Sequence, residues 1–341
     1  MKKSSRGNFF AIDKTQWAGV CELSINAALL YLLLARGSEK SNRFTSWSAN
    51  SLEKYTGVTR RRAKEARIRL LGSQYVNVIC SGKSPKYELP RSLGFQEKRD
   101  EIWLPNELIT GAVDEVTAIE RVRQTGDVMR LRLLVDLYHQ QNLVDDCGVA
   151  RECVHESFER KRIAESGIYT IWGFSRDAMS CFPQNEVVSP HYVGDGDLFL
   201  ERFNTLRDLG LVEVTPYLCE TSKPDAEIIH PLGSVFGCED LSLVMDDAVF
   251  NMLPDQYSGE CCLYDFVVPV PRHISNAAVV GIAQTRYRAK TSLTAAAKAH
   301  HIEQISAYRD AYEQMGTKDD VQYQGGIKVE SRLDSMGNQG T

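Results

Sequence analysis

Seven cations fall within sixteen residues of the chain: Lys54, Arg60, Arg61, Arg62, Lys64, Arg67 and Arg69, opposed only by Glu65. Arginine carries a planar fork of donors that can grip guanine O6 and N7 together, or two phosphate oxygens. Every Lys or Arg placed on a phosphate also releases condensed counterions, which makes such binding steeply salt-dependent. The whole chain has a formal net charge of −5 and this stretch +6, which leaves −11 for everything else. An acidic body with one concentrated basic element suits contact with a polyanion at a defined place.

Those cations need a rigid mount, and the flanking residues predict one. Ser48 is placed to cap a short helix, 49–55, with Leu52 pointing inward. Gly57 can take the left-handed conformation of a sharp turn, Val58 is the apolar residue of that turn, and Thr59 precedes a second helix, 60–71. On the second helix Ala63, Ala66 and Leu70 share one face, and small alanines allow a close approach to the first. Arg60, Arg61 and Lys64 stand on the other side in the opening turns, the end that faces base edges in a helix-turn-helix, with Thr59 beside them. Arg62, Arg67 and Arg69 suit flanking phosphates. Two strands, 75–80 and 87–89, follow around a tip bearing Lys83 and Lys86, which predicts a wing reaching the DNA backbone or minor groove.

Upstream, Phe9 to Ile12 is expected to be extended and Leu23 to Arg36 to form a leucine-rich helix. FFAIDKTQW is echoed by EIWLPNELI at 101–109, and the leucine-rich helix by 128–142. A helix over 199–209, a strand over 211–214, a loop with Lys223 and a strand over 226–230 continue that echo. The expected fold class is therefore α+β and predominantly helical. It comprises a winged helix-turn-helix domain over 9–92, a second, degenerate one over 100–235, a mixed and helical region over 236–315 and a flexible tail over 316–341. The second recognition-helix position carries Glu201, Arg202, Arg207 and Asp208 with no net charge; Arg202, Asn204 and Arg207 are its base-contact candidates, and a protein partner or second subunit is the favoured ligand there. Strand 263–270 and a long helix over 277–315 complete the expected elements.

Other chemistries are less well provided. Cys147, Cys153 and His155 cluster without the paired CxxC spacing of a structural zinc site, and the adjacent Cys261 and Cys262 cannot readily share one ion, so no metal or other cofactor is expected. Asp195 and Asp197 lie near His191, but Gly-Asp repeats ordinarily make turns, and His300 and His301 are expected at the surface. No GxxxxGK[ST], GxSxG or HExxH is present, so no enzymatic activity is expected. Nine irregularly spaced cysteines and no apolar leader point to a reducing, bacterial cytoplasm, with the protein on the nucleoid or a plasmid. The apolar run 27–35 is about half of the ~20 residues needed to cross a bilayer, so it reads as a buried helix and no membrane partner is expected.

INAALLYLLLAR followed by WSANSLEKYTGVTRRRAKEARIRLL and a wing resembles the winged-helix domains of replication initiators and regulators from plasmids, phages and integrative elements. Leu52, Thr56, Gly57, Val58 and Thr59 carry the likeness, which covers about 80 residues. The resemblance implies sequence-specific binding of double-stranded DNA, either to initiate replication or to regulate transcription of a mobile element. A homodimer, or a replication or transcription protein, would be the partner. The alternative reading is a protein–protein adaptor whose winged helices are interaction modules; it predicts no salt-sensitive affinity for DNA.

Overall fold

The apolar run Ala27 to Ala35 carries no charged side chain, and every residue of it is buried. A helix that is apolar all round cannot face water on any side, so other elements must enclose it. The computed structural model describes residues 8–38, 42–82, 84–90, 100–111, 116–143, 146–193, 196–234, 241–288 and 291–315. The chain divides into two units, each assembled from three stretches: 1–149, 182–213 and 284–295 in the first, and 150–181, 214–283 and 296–341 in the second.

The first unit opens with β1 (Phe9–Asp13) and α1 (Lys14–Cys21), and the buried helix is α2 (Ile25–Arg36). Next come β2 (Phe44–Thr45), α3 (Ala49–Thr56), α4 (Arg60–Gly72), β3 (Asn77–Cys80), β4 (Lys86–Glu88), β5 (Glu101–Pro105), α5 (Glu107–Thr110), α6 (Ala118–Gln124) and α7 (Val128–His139). All seven of β1, α1 and α3 to α7 touch α2 and form its shell. Short polar residues start the helices by accepting from free backbone N–H groups: Asp13 from Gln16 at 2.9 Å, Ser24 from Ala27 at 3.3 Å and Asp127 from Met129 at 2.8 Å. After α7 the chain leaves for β6 (Val154–Ser166) and β7 (Tyr169–Cys181), then returns with β8 (Tyr192–Val193), β9 (Gly196–Asp197) and α8 (Leu198–Asp208). Phe199, Phe203 and Leu206 are the buried side of α8, which packs on α7.

The second unit is built on a curled, six-stranded antiparallel sheet, a half-barrel with the order β11-β10-β13-β6-β7-β12. Its remaining members are β10 (Val212–Cys219), β11 (Ile228–Pro231), β12 (Phe266–Pro271) and β13 (Ala278–Thr285), with α9 (Ser242–Met252), α10 (Ser258–Cys261) and α11 (Ser292–Met315) between or after them. One core joins sheet residues Phe174, Leu218, Val268 and Val279 to Met245 and Ala248 of α9 and Ile305 and Tyr312 of α11. Within that core His230 is fully buried, one ring nitrogen 2.9 Å from the Pro231 carbonyl and the other 2.9 Å from the Tyr312 hydroxyl. Burial holds its imidazole neutral by lowering its pKa to about 4.

The fold departs from the expected class. The chain is mixed α/β, with 43% helix and 27% strand, and is not a predominantly helical pair of winged helices. Strands β10 and β11 do form a hairpin where the second wing was expected, but they are two members of the half-barrel, whose other four strands include the long hairpin β6–β7. FFAIDKTQW and EIWLPNELI are partners in one sheet: β1 and β5 pair antiparallel, Phe9 opposite Pro105 and Asp13 opposite Glu101, and each leads into a helix. The region 278–285, expected to be helical, is β13, whose eight residues are buried on both faces. A short apolar run of that kind has no periodicity to tell strand from helix. The proposed tail, 316–341, lies outside the described residues.

Asp136 on α7 is the most deeply buried carboxylate of the first unit's helices, 3.4 Å from the Arg132 guanidinium. Burial lifts its pKa from 3.8 to about 6, against the pull of Arg132. A carboxyl that holds its proton more tightly when folded stabilises the fold below about pH 4 and loses that contribution as pH rises through 6. His230 works in the opposite sense over an overlapping range. Asp136→Asn is therefore expected to remove an acid-favouring trend worth up to about 3 kcal/mol, so that its urea midpoint, measured from pH 4 to 7, falls more steeply with acid than that of the parent. Parallel profiles for the two proteins would refute this account.

Candidate nucleic-acid interface

The turn between α3 and α4 is made as its residues require. Ser48 Oγ accepts from the Asn50 N–H at 3.4 Å and starts α3; Thr56 closes it by donating its hydroxyl to the Leu52 carbonyl at 2.6 Å. Gly57 then takes φ +64°, in the left-handed region, and its N–H returns to the Glu53 carbonyl at 3.0 Å. Val58 is buried, and α4 departs with Ala63, Ala66 and Leu70 packed inward. Where the end of α2 passes this element, the ring of Trp47 occupies the place a Cβ on Gly37 would take, 2.1 Å away, so only glycine fits there. Trp47 also stacks on Tyr55 of α3, with centroids 5.3 Å apart and planes 6° from parallel. Thr117, at the start of α6, donates its hydroxyl to the Tyr55 carbonyl at 3.1 Å and secures the end of α3 from below.

With its apolar side fixed, α4 presents Arg60, Arg61, Arg62 and Lys64 to solvent. Among the described residues, Arg60, Arg62 and Lys64 make no hydrogen bond or ion pair, and Arg61 has only a 3.7 Å approach to Glu65. Thr59 stands at the N-cap, exposed, but its side chain makes no capping bond, so the first N–H groups of α4 are left to solvent or to a ligand. The two cations further along are engaged within the fold. Arg67 is half-buried with its guanidinium a long 3.5 Å from the Tyr87 hydroxyl, and Arg69 donates to the Leu23 carbonyl at 3.1 Å.

A three-stranded antiparallel sheet, β2-β4-β3, stands beside this element. Tyr87 at its centre is buried; Lys86 is exposed on β4, opposite Cys80. Lys83 lies outside the described residues. Arg43, next to β2, is held by Glu88 at 2.7 Å, and Lys54 rests over the ring of Tyr55 at 5.1 Å. Strand β2 has only two residues and so gives no periodic signal in the sequence, which leaves the Arg43–Glu88 pair that ties the sheet together unreadable there as well.

The other sequence candidates are placed elsewhere. Arg202 on α8 is half-buried, donating to Asp127 at 3.0 Å and lying 2.9 Å from a ring nitrogen of His191; Asn204 alone of its group is exposed. His191 is fully buried against Phe199, and Asp195 lies outside the described residues. His301, expected at the surface, is 2% exposed and meets the Ala297 carbonyl at 2.9 Å, whereas His300 is exposed. Among the described residues no three His, Cys, Asp or Glu side chains are arranged to hold a metal ion, and no helix is long and apolar enough to cross a membrane.

Gly57→Ala would keep a left-handed backbone with a Cβ attached, while the nearest atom to that Cβ, Glu120 Oε1 at 3.7 Å, leaves space. The expected cost is thus conformational, about 1–2 kcal/mol, with Gly57→Asn milder because asparagine tolerates this region. Thermal unfolding of both variants checks the order, and an Ala variant as stable as the parent would contradict it.

No protein-family model, curated protein or solved structure matches this chain.

Proposed function

We propose that this protein binds double-stranded DNA through the opening turns of α4. The observation that carries the proposal is the group of exposed cations Arg60, Arg61, Arg62 and Lys64, three of them without a partner among the described residues, on a helix whose opposite side is fixed by packing. Cations gathered on one side of a fixed helix, three of them without a carboxylate partner among the described residues, are suited to an external anion, and the weakly hydrated guanidinium gives up its water readily for one. A helix entering the major groove offers its leading residues to base edges. Arg60, Arg61 and Lys64 are assigned to that role, with Arg62, the Thr59 hydroxyl and the open N–H groups on neighbouring phosphates. Lys86, exposed on the adjacent sheet, extends the contact along the backbone, and Lys83 at the tip belongs to the same reading. Arg67 and Arg69 act chiefly by bracing α4 against Tyr87 and Leu23.

The biological role that goes with this contact is initiation of replication, or regulation of transcription, on a mobile element, which would place the protein with the nucleoid or a plasmid. Its support is the resemblance carried by the segments 25–36 and 47–71 and the wing that follows. The two roles differ in the sites they need. Initiation requires repeated sites beside a duplex that melts, and regulation requires a single operator.

Binding to random-sequence duplex, measured against salt, tests the contact. Without a cognate site the base-facing cations rest on phosphates as well, so for Arg60→Ala/Arg61→Ala/Lys64→Ala the slope of log K against log[salt] is expected to become shallower by about 2–3, since each phosphate contact contributes about 0.9. Equal indifference of parent and variant to duplex DNA would remove the proposal and favour the adaptor reading. Selection of preferred sites from a random pool then separates repeats from an operator.

A further inference from the structure

Strand β3 is the outer strand of the sheet β2-β4-β3, and among the described residues nothing pairs with its free edge. All four of its residues, Asn77 to Cys80, are exposed, which holds for no other described strand of more than two residues. Two of them are large and apolar: Val78 is 45% and Ile79 53% exposed. An edge of this kind offers a row of N–H and C=O groups to any extended backbone. The half-barrel, by contrast, blunts its edges. Its outer strand β12 carries Pro269 and Pro271, which have no N–H to donate, and β11 ends at Pro231. Strand β2, the other edge of the small sheet, has only two residues. The shift of register at Ile79 is a bulge, a feature that can also turn an edge aside, yet the residue it carries is an exposed isoleucine.

The sequence around β3 indicates which partner suits it. Residues 70–82 contain no charged side chain, although they follow the most basic element of the chain. Antiparallel pairing of β3 with its own copy, about a two-fold axis, sets each residue against itself or a near neighbour. A Lys or Glu in the strand would then face its like, and a neutral strand meets no such repulsion. The backbones that bear Lys86 and Glu88, on β4 behind it, are held three strand spacings from their counterparts. That is about 14 Å, beyond the ~8 Å over which physiological salt screens a charge.

We propose that β3 is the contact through which two copies of this chain pair, edge to edge and antiparallel, joining their three-stranded sheets into one of six strands. Val78 and Ile79 of each copy then cover those of the other. The contact uses the same patch on both partners, so it closes at a dimer and does not propagate. Four residues span about 13 Å, a strip much smaller than the interface of a permanent dimer, so the pairing is reversible. With no charge at its centre it depends little on salt. A two-fold dimer relates its two α4 helices by the same axis, which calls for an inverted repeat in the DNA; this last consequence rests on the function proposed above.

Sedimentation velocity of the full chain at low and high salt tests the contact, under reducing conditions that keep the exposed Cys80 thiol from cross-linking copies. Two variants are compared with the parent, Val78→Lys/Ile79→Lys and Val78→Glu/Ile79→Glu, both at exposed positions and each checked for its fold by circular dichroism. The parent is expected to form a dimer and nothing larger at both salt concentrations, and each variant alone to dimerise about tenfold more weakly. An equal mixture of the two variants at low salt is expected to recover a dimer, because a Lys strand then faces a Glu strand. A parent that stays monomeric at the highest concentration that remains in solution, a parent that grows beyond a dimer, a variant that dimerises undiminished, or a mixture that fails to recover would each overturn the proposal. Random-sequence duplex added to the same samples separates the two claims. A parent that dimerises as described but ignores DNA refutes only the function proposed for α4, and one that binds duplex but never dimerises refutes only the pairing of β3.

Discussion

The first unit depends on burying a helix that has no polar side. Each turn of α2 offers apolar surface in every direction, so elements from well-separated parts of the sequence are drawn around it. Covering one such side chain is worth roughly 1.5–3 kcal/mol, and leucines 29, 30, 32 and 33 are completely covered. This requirement orients α4. Its alanines allow a close approach to α2 and α3, which leaves the arginines of its first turns no direction but outward. The charged surface is thus a by-product of apolar packing behind it, and the exactness of its presentation comes from residues that carry no charge.

The part of the fold legible in the sequence was the part determined by near neighbours. Ser48, Gly57, Val58 and the alanine face each act within a few residues, and 49–72 forms the two helices they imply. Thr59 shows the limit even there, since its position was readable but its missing capping bond was not. The half-barrel was not legible because its pairings are remote. Strand β13 joins β6 across more than a hundred residues, with Val280 opposite Ser157, and neither sequence alone implies the other. The middle of β6, with four exposed residues from Glu159 to Arg162, gives little alternation to read. The likeness between FFAIDKTQW and EIWLPNELI was real in the residues, but resemblance and pairing leave the same trace in a sequence when two strands share one environment.

The candidate site follows the same division. The exposure of Arg60, Arg61, Arg62 and Lys64 could be deduced from helical spacing. The internal partners of Arg67 and Arg69 could not, because Tyr87 and Leu23 are brought to them by tertiary packing. Arg202 shows this most plainly: its place on a helix after a glycine-rich stretch fits a contact residue, yet Asp127 and His191, contributed by other elements, engage it. Charge counted along the chain finds a basic helix; only the fold tells which of its cations are already occupied.

The interleaving of the two units bears on how the protein comes to exist. The backbone passes from one unit to the other five times, the last times near residues 283 and 295. Helix α4 is synthesised early, but the unit that supports its apolar side is completed only when residues 284–295 have been made. The seven elements that enclose α2 end at His139, so its leucines can be covered long before the last stretch of the same unit, 284–295, is made. Between those two points the unit is incomplete, and translation speed and chaperone occupancy bear on how much correctly folded protein a cell obtains.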